Sequence, residues 1–219
     1  MSTDVKGGGR ERSGRTSAAV SGREKRAAQG AATRAALLEA ARELFGSVGF
    51  ADTSLDEVVA RAHVTKGALY HHFSGKDALF RAVYEAVLAD VVSAVMTAAG
   101  AEQEAWASVR AGLSAFLDAC LDAAFRRIVI LESVSVLHPE VREAEIGEVE
   151  LPMLRTVLTP LAAGDTLPGV ALDPLAHVAL GGLYGAALFI ARSPDPSAAR
   201  RDVDVVLDTL IGGLCASRA

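Results

Sequence analysis

The sequence predicts an all-α protein in which a small N-terminal helix-turn-helix unit precedes a larger C-terminal helical bundle, with about nine helices in all. Three observations lead to this prediction. Alanine is abundant and aromatic residues are few, a composition that favours helix over sheet. Apolar residues recur three and four positions apart, which is helical spacing. Glycine and proline interrupt these stretches where helices should end.

The charge of the chain is unevenly distributed. The 219 residues carry a formal net charge of −5, which alone would argue against a nucleic-acid binder. Residues 1–81, however, contain 13 Lys and Arg against 9 Asp and Glu, whereas the remainder contains 9 against 18. The basic excess therefore lies in the part that contains the helix-turn-helix unit, where phosphates would be met.

Two cysteines, Cys120 and Cys215, lie far apart without a CxxC motif or neighbouring histidines. This pattern fits small buried residues in a reducing cytosol better than a disulfide or a metal site. We therefore expect a cytoplasmic protein with no metal and no cofactor.

Residues 1–32 are rich in Gly, Ser, Ala and Arg and lack apolar periodicity. We predict a disordered tail, and the absence of a hydrophobic segment excludes a signal peptide. Three basic residues just before the first helix, Arg23, Lys25 and Arg26, also suit an arm that contacts phosphates or a minor groove. The two interpretations are compatible, because an arm can order on DNA.

The first helix is predicted from about Thr33 to Val48, with Gly49 as its C-cap. Its predicted buried face consists of residues at helical spacing, namely Leu37, Ala41, Leu44, Phe45 and Val48.

Two short helices joined by a tight turn are predicted next. Ser54 and Glu57 form a capping box at the start of the first of them. Thr65 caps the second, whose Leu69 and Phe73, four positions apart, point into the core.

The opposite face of the second short helix is basic and rich in hydrogen-bonding groups: Lys66, Gly67, Tyr70 and His71, with His72 and Lys76 at its C-terminal edge. This is the outline of a recognition helix that enters a major groove. Lys66 is the candidate for base contact, because its ammonium can reach O6 and N7 of guanine. Gly67 and Ala68 allow only close backbone or methyl contacts.

Phosphate contacts, which fix register without reading sequence, are assigned to Tyr70, His71, His72 and Lys76. Other roles stay open for three of these: packing against the first helix for Tyr70, an interior position for His72, and a solvated charge for Lys76. Thr53 and Thr65 lie at helix N-termini, where hydroxyl and backbone N–H groups can meet a phosphate.

The run T-K-G-A-L-Y-H-H-F-S-G-K-D-A-L-F, residues 65–80, resembles the recognition-helix signature of the tetracycline-repressor (TetR) family of transcriptional regulators. The resemblance extends back through residues 37–45 and 49–54 and covers roughly residues 33–90. His63 departs from the pattern, because the family usually has Gly in this turn. His tolerates positive φ better than most residues, so we expect a small local cost.

The remaining chain predicts six more helices. The fourth starts at Ser74 as a cap and runs to about Ala99. The sixth stops at His138-Pro139, and Pro152 should kink or break the seventh. The approximate ranges of the fifth to ninth helices are 102–122, 124–137, 140–161, 173–191 and 197–215, with a loop at 163–172.

The eighth helix, opened by Asp173 as a cap and Pro174, has no formal charge from Leu175 to Ala191. This stretch falls short of a membrane span, so we expect no membrane partner. The sequence contains no Gly-rich phosphate loop, no HExxH and no recognisable nucleophile–base motif, which predicts a protein that is not an enzyme. His138 and His177 are isolated and are expected to be structural.

The resemblance implies a homodimer whose last two helices form a four-helix bundle with those of a second subunit. The eighth helix, which is apolar nearly all round and contains small residues, suits such an interface together with the amphipathic ninth. The resemblance also implies a pocket for an unknown small-molecule effector among helices five to eight. Plausible wall residues, which as a class are more often simple core, are Trp106, Phe116, Phe125, Met153, Tyr184 and Phe189.

Taken together, the sequence predicts a basic arm (1–32), a DNA-binding domain (33–80) and a ligand-binding and dimerisation domain (81–219). The expected function is a repressor released from a near-palindromic operator by a small apolar or amphipathic effector. An activator or a regulator controlled by a protein partner is the alternative within this class. A helical small-molecule-binding protein or enzyme with an unused helix-turn-helix is the alternative from another class.

Overall fold

The structure is a computed structural model that describes residues 11–163, 167 and 169–216, with side chains described over residues 24–162, 167 and 169–213. This part contains nine helices and no strand, which confirms the all-α class. The first five helices are α1 (Glu11–Ser47), α2 (Leu55–Arg61), α3 (Lys66–His72), α4 (Lys76–Gly100) and α5 (Ala105–Ala119). The last four are α6 (residues 125–136), α7 (residues 139–163), α8 (Leu172–Arg192) and α9 (Pro196–Ala216).

α1 begins at Glu11, well before its predicted start at about Thr33. Residues 11–32 are therefore helical where we expected disorder, and residues 1–10 of the predicted arm lie outside the described residues. A helix nucleated by its packed part gains a hydrogen bond with each added residue, and the Ala- and Arg-rich composition favours this extension. The side chains of residues 24–29 are exposed, so propensity and not packing supports this end of the helix.

The local signals of the helix-turn-helix are confirmed. Ser54 and Glu57 form both hydrogen bonds of the capping box at α2, and the Thr65 side chain accepts from the Ala68 N–H at α3. His63 has φ 56°, the positive value anticipated for the turn. An L-residue other than Gly takes this conformation at a cost of about 1 kcal/mol.

The core of the helix-turn-helix unit is built on three aromatic rings. Phe45 of α1 and Phe50 of the following loop each pack on Phe80 of α4, with ring centroids 5.2 Å apart in both pairs. Leu69 and Phe73 of α3 are buried as predicted. Val48, which we placed on the buried face of the first helix, is instead 44% exposed because the helix ends beside it.

α4 belongs to both parts of the molecule, because its buried residues extend from Leu79 to Ala99. Ser74 is not its cap: Gly75 occupies that position and no side chain caps the helix. At its C-terminal end α4 packs closely on α5, since a Cβ on Gly112 would lie 3.5 Å from the Cβ of Ala99.

Two helices contain π-helical segments. α6 consists of a π-helical part, Phe125–Glu132, followed by Ser133–Val136, and it ends before His138-Pro139 as predicted. In α7 the π-helical segment Ile146–Glu150 directly precedes Leu151–Ala163. Proline has no N–H to donate, and the wider π-helical turn accommodates Pro152 without the break that we allowed for.

The end of the chain follows the predicted order of elements. α8 starts at Leu172, so Asp173 lies in its first turn and does not cap it. Residues 164–166 and 168 of the predicted loop before α8 lie outside the described part, and residues 169–171 are not helical, as predicted. Cys120 is a buried core residue, and burial raises the pKa of its thiol to about 12. The side chain of Cys215 lies outside the described part.

α4 and α8 are long and apolar enough to cross a membrane by length and composition alone. This differs from the expectation that the eighth helix falls short of a span. Buried helices of globular proteins have the same composition, and α4 contributes nine buried residues to the core.

α6 of the bundle contacts the end of α1 and the loop that follows it in the helix-turn-helix unit. Glu132 Oε2 accepts a hydrogen bond from the Phe50 N–H at 2.8 Å, and Arg127 donates to the carbonyl of Ser47. Between them lies Gly49, with φ 94°. A Cβ at this position would lie 2.5 Å from Glu132 Oε1 and 3.1 Å from Arg127 Nε. Gly49 therefore satisfies both a positive φ and a close approach.

We expect Gly49→Ala to lower the free energy of unfolding by about 1–3 kcal/mol, because the added methyl group must displace Glu132 in a strained backbone conformation. Urea denaturation measures this change. Gly100→Ala is the control: outside its own helix, no atom lies within 4 Å of the added Cβ, so this change should not destabilise the protein and should stabilise α4 by up to about 1 kcal/mol. Equal stability of the two variants would contradict the described contact between α6 and the loop.

Candidate nucleic-acid interface and ligand cavity

α3 turns one face into the core and leaves the other exposed. Leu69 is fully buried, whereas Tyr70 is 52% exposed. Lys66, Gly67 and His71 are also exposed. The packing alternative for Tyr70 is therefore disfavoured in this structure. The exposed face is the one predicted to meet DNA.

The N-terminal end of α3 is open to a close approach. A Cβ on Gly67 would meet only the Thr65 hydroxyl, at 4.0 Å. The Thr65 hydroxyl itself accepts from the Ala68 N–H, and Ala68 is half-buried. Gly67 is thus not needed for internal packing, and its exposed backbone suits a close contact with DNA.

Lys66 has a partner that the sequence did not indicate. Its Nζ lies 2.7 Å from Oδ1 of Asp56, on the exposed face of α2. The hydrogen bond to Asp56 raises the pKa of Lys66, so the side chain stays charged. To contact a base, Lys66 must exchange this carboxylate for the guanine edge. Residues ten positions apart across a turn share no periodicity, which is why sequence reasoning missed Asp56.

Two residues that were predicted to contact DNA instead form hydrogen bonds within the protein. Thr53 is 2% exposed and its hydroxyl donates to the Gly49 carbonyl, so the prediction of a phosphate contact by this side chain is wrong for this structure. Lys76 donates to the Ala51 carbonyl at 3.1 Å and lies over the Phe50 ring. Its role in the free protein is to fasten the loop before α2 to the start of α4.

His71 and His72 continue the polar edge of α3, with ring centroids 5.2 Å apart. His71 is exposed, while His72 is half-buried beside α1, where a Cβ on Gly30 would lie 3.9 Å from its ring. The extended α1 therefore runs past this edge.

The bundle brings together four of the six pocket candidates. Phe116, Phe125, Met153 and Tyr184 line one enclosed cavity of about 40 Å³ between α4 and α8. Trp106 packs partly buried against the core elsewhere on α5. Phe189 is 57% exposed and lies on the outer face of α8. These last two predictions are therefore not supported as walls of this cavity.

A buried polar cluster adjoins the cavity. Arg142 of α7 donates to the hydroxyls of Tyr84 in α4 and Tyr184 in α8, the latter at 2.8 Å. Tyr184 in turn donates to Glu150 Oε1 at 2.6 Å. Burial raises the pKa of the Tyr84 hydroxyl to about 12, although the charge of Arg142 counteracts it. The cluster ties three helices together through neutral tyrosines and one ion pair.

Sequence reasoning missed this cluster except for Tyr184. Arg142 and Glu150 are eight residues apart, and an unbroken α-helix would rotate them about 80° from each other. The π-helical segment between them changes that rotation and brings both onto one face. A helical-period search therefore could not pair them.

Part of the outer surface of α8 and α9 is apolar and unpacked. Val178, Phe189, Val205, Val206 and Leu210 are all more than half exposed. A Cβ added to Gly181, Gly182, Gly185 or Gly212 would meet no atom within 4 Å. These residues define the α8–α9 face, which contains apolar and small residues at helical spacing.

Among the described residues, no group of three or more His, Cys, Asp or Glu side chains is arranged to hold a metal ion.

Both parts of the chain match known family models. Residues 37–83 match bacterial regulatory proteins of the tetR family, and residues 106–214 match the tetracyclin repressor-like C-terminal domain. The chain belongs to the TetR family. It is thus a transcriptional regulator with an N-terminal helix-turn-helix, and its relatives are regulators and not enzymes.

Solved structures of TetR-family regulators share the whole fold. A regulator from Pectobacterium atrosepticum is 30% identical with a TM-score of 0.72, over 85% of this chain and 96% of that one. The FadR regulator of Bacillus subtilis, solved with stearoyl-CoA, is 17% identical with a TM-score of 0.65, over 78% and 96%. The second likeness concerns the fold alone.

Curated TetR relatives match only the DNA-binding part. The regulator SrpR of Pseudomonas putida is 42% identical over 59 residues, which are 27% of this chain and 28% of SrpR. The TetC protein of transposon Tn10 from Escherichia coli is 45% identical over 56 residues, or 26% and 28%. The chain thus matches less than a third of the length of these relatives, and their ligands do not transfer to it.

We predict that Lys66→Ala relaxes the preference at one base pair of each DNA half-site and costs about 1–3 kcal/mol at that position, because one base contact is lost. Binding to a set of operator variants, measured by fluorescence anisotropy, tests this outcome. Unchanged affinity and preference would place the recognition surface elsewhere.

The variant Asp56→Asn distinguishes a base contact made by Lys66 from a general effect of charge on DNA binding. It frees Lys66 and removes a negative charge from the DNA side, so all duplexes should bind more tightly, and those with the base pair that Lys66 contacts should gain most. Glu102→Gln makes the same charge change at the far end of α4, where Glu102 is exposed, and should have little effect.

Proposed function

We propose that this TetR-family regulator is a cytoplasmic repressor that leaves a near-palindromic operator when a small apolar or amphipathic effector binds in the bundle. The observation that supports the proposal is that α6 contacts both the cavity and the helix-turn-helix. Its π-helical part supplies Phe125, Val129 and Ile130 to the cavity wall and Arg127 and Glu132 to the loop of the helix-turn-helix. The same helical segment thus contacts both the cavity and the loop of the helix-turn-helix.

In this proposal, the exposed face of α3 contacts DNA. Lys66 is the base-reading residue of the proposal, and Gly67 and Ala68 permit its close approach. Tyr70 and His71 are exposed beside it and suit phosphate contacts. Thr65 and His72 lie at the two ends of α3, and Lys25, exposed on the extended α1, adds a positive charge on the arm. The basic excess of the first 81 residues supports this assignment.

A homodimer formed through the α8–α9 face would present two such helices. The exposed apolar residues of this face gain burial in a four-helix bundle, and its open glycines permit close helix contact. Two α3 helices related by a twofold axis then require a near-palindromic operator, with half-sites about one helical turn apart or somewhat more.

Release follows from a shift of α6 and α4. An effector that enlarges the cavity pushes on Val91 and Val92 of α4 as well as on α6. Both helices hold the helix-turn-helix, α6 through Glu132 and α4 through Phe80. The effector must bind the DNA-incompetent arrangement better, and a tight switch needs about 5.5 kcal/mol of difference.

The alternatives differ in observable ways. An activator or a regulator that answers to a protein partner would bind the same operator but would not be released by small molecules. A helical ligand-binding protein or enzyme with an unused helix-turn-helix would bind no operator. The open, basic face of α3 favours DNA binding over this second class.

The deciding experiment is fluorescence-anisotropy binding of the purified protein to its own upstream region and to a scrambled duplex at several salt concentrations. Preferential binding with a steep salt dependence is expected. Equal, weak binding to the upstream and scrambled duplexes counts against operator recognition at this locus. Compounds are then screened for release, and failure of every compound favours the protein-partner alternative.

Val206→Glu should convert the dimer to monomers, because a carboxylate cannot be buried unpaired in an apolar interface. Sedimentation velocity measures the oligomeric state. Val48→Glu makes the same substitution at a residue that is 44% exposed at the end of α1, and it should leave the dimer intact. A dimeric Val206→Glu protein would move the interface away from α9.

Glu132→Ala should weaken operator binding about tenfold, because the loop after α1 loses its anchor and must be ordered on DNA. Anisotropy titration measures this loss. Glu140→Ala removes a carboxylate whose side chain is 87% exposed on α7 and serves as the control. Equal affinities of the two variants would remove α6 from the coupling path.

A further inference from the structure

The cavity lined by Phe116, Phe125, Met153 and Tyr184 has an apolar wall that includes one ionisable residue with a formal charge. Among the residues that line it, Glu150 is the one that carries a formal charge, and its side chain is only 5% exposed. Its Oε1 accepts from Tyr184, but its Oε2 is buried and has no hydrogen-bond partner within the described part of the chain. A buried acceptor without a partner is costly, and native proteins rarely retain one without a role.

The charge of Glu150 is already balanced. Arg142 Nη1 lies 3.6 Å from Glu150 Oε1, and the Arg142 side chain is 14% exposed. Arg142 also donates from Nη1 to the Tyr84 hydroxyl and from Nη2 to the Tyr184 hydroxyl. A ligand with a net charge would therefore enter an apolar cavity without a free counter-charge, whereas an uncharged donor would satisfy Oε2 at no such cost.

We infer that Glu150 is the polar end of the effector site, and that the effector is an uncharged apolar molecule with one hydrogen-bond donor, a hydroxyl or an N–H, which reaches the covered Oε2 when the Tyr184 ring moves aside. The inference rests on the proposed function only for the role of this molecule as an effector. The chemistry of the ligand follows from the cavity itself.

Tyr184 closes the site toward the surface. Together with Ile130 it lines both the cavity and an open groove of about 540 Å³ between α6 and α8. The cavity alone holds a few water-sized molecules, since one water needs roughly 10–15 Å³. A larger ligand therefore displaces the Tyr184 ring and extends into the groove. That movement breaks the hydrogen bonds of the Tyr184 hydroxyl to Arg142 and to Glu150 Oε1 and so weakens the contact of Arg142 with Tyr84 of α4.

Calorimetry of the free protein with three bicyclic probes of similar shape tests the ligand chemistry without DNA. Indole has a donor and no acceptor, indene has neither, and indanone has an acceptor only. We expect indole to bind about tenfold more tightly than indene, and indanone to bind no better than indene. Equal binding of all three, or no binding, overturns the inference and makes the cavity a structural-water site only. Tighter binding of the cation aminoindane overturns the assignment of an uncharged ligand.

Glu150→Gln inverts the site, because the amide keeps an oxygen for Tyr184 and places an N–H₂ donor where Oε2 was. In this variant indanone should bind about tenfold more tightly than indole. Glu143→Gln, an exposed position on the same helix, should keep the wild-type order, and an unchanged order in Glu150→Gln would overturn the inference. Binding of indole without release of the operator would count against the repressor mechanism and not against the ligand chemistry.

Discussion

The hydrogen bond from the Phe50 N–H to Glu132 joins the two parts of this regulator, and much of its architecture depends on that contact. Phe50 lies in the loop after α1, where its ring packs on Phe80 and beneath the Lys76 ammonium. Gly49 has the positive φ and the missing side chain that let Glu132 reach this loop. The helix-turn-helix is therefore held by the bundle through these contacts and through α4, which belongs to both parts.

The buried cluster around Arg142 binds α4 at Tyr84, one turn after Phe80. Its guanidinium binds the hydroxyls of Tyr84 and Tyr184, and its charge faces Glu150. Burial raises the pKa of the Glu150 carboxyl above its ordinary value, while the hydrogen bond from Tyr184 and the charge of Arg142 oppose that rise. Such a cluster is sensitive to whatever enters the cavity, because each member depends on its neighbours for a partner.

The sequence predicted the local features of this fold and missed most of the long-range ones. The capping box at Ser54, the cap at Thr65 and the strained turn at His63 were predicted because each depends on residues within a few positions. The exposed face of α3 followed from the same periodicity. Two errors were local as well: the Thr53 hydroxyl donates to the carbonyl of Gly49, four residues before it, and α1 continues beyond its predicted start on helix propensity alone.

The sequence by itself determined the all-α class, the helix-turn-helix and its polar face, and the TetR resemblance, because helical spacing and capping are encoded in neighbouring residues. Only the tertiary structure decided that Lys66 pairs with Asp56, that α6 anchors the loop at Phe50, and that a π-helical segment aligns Arg142 with Glu150. These features depend on how whole helices rotate and pack against one another, and no local pattern records that rotation.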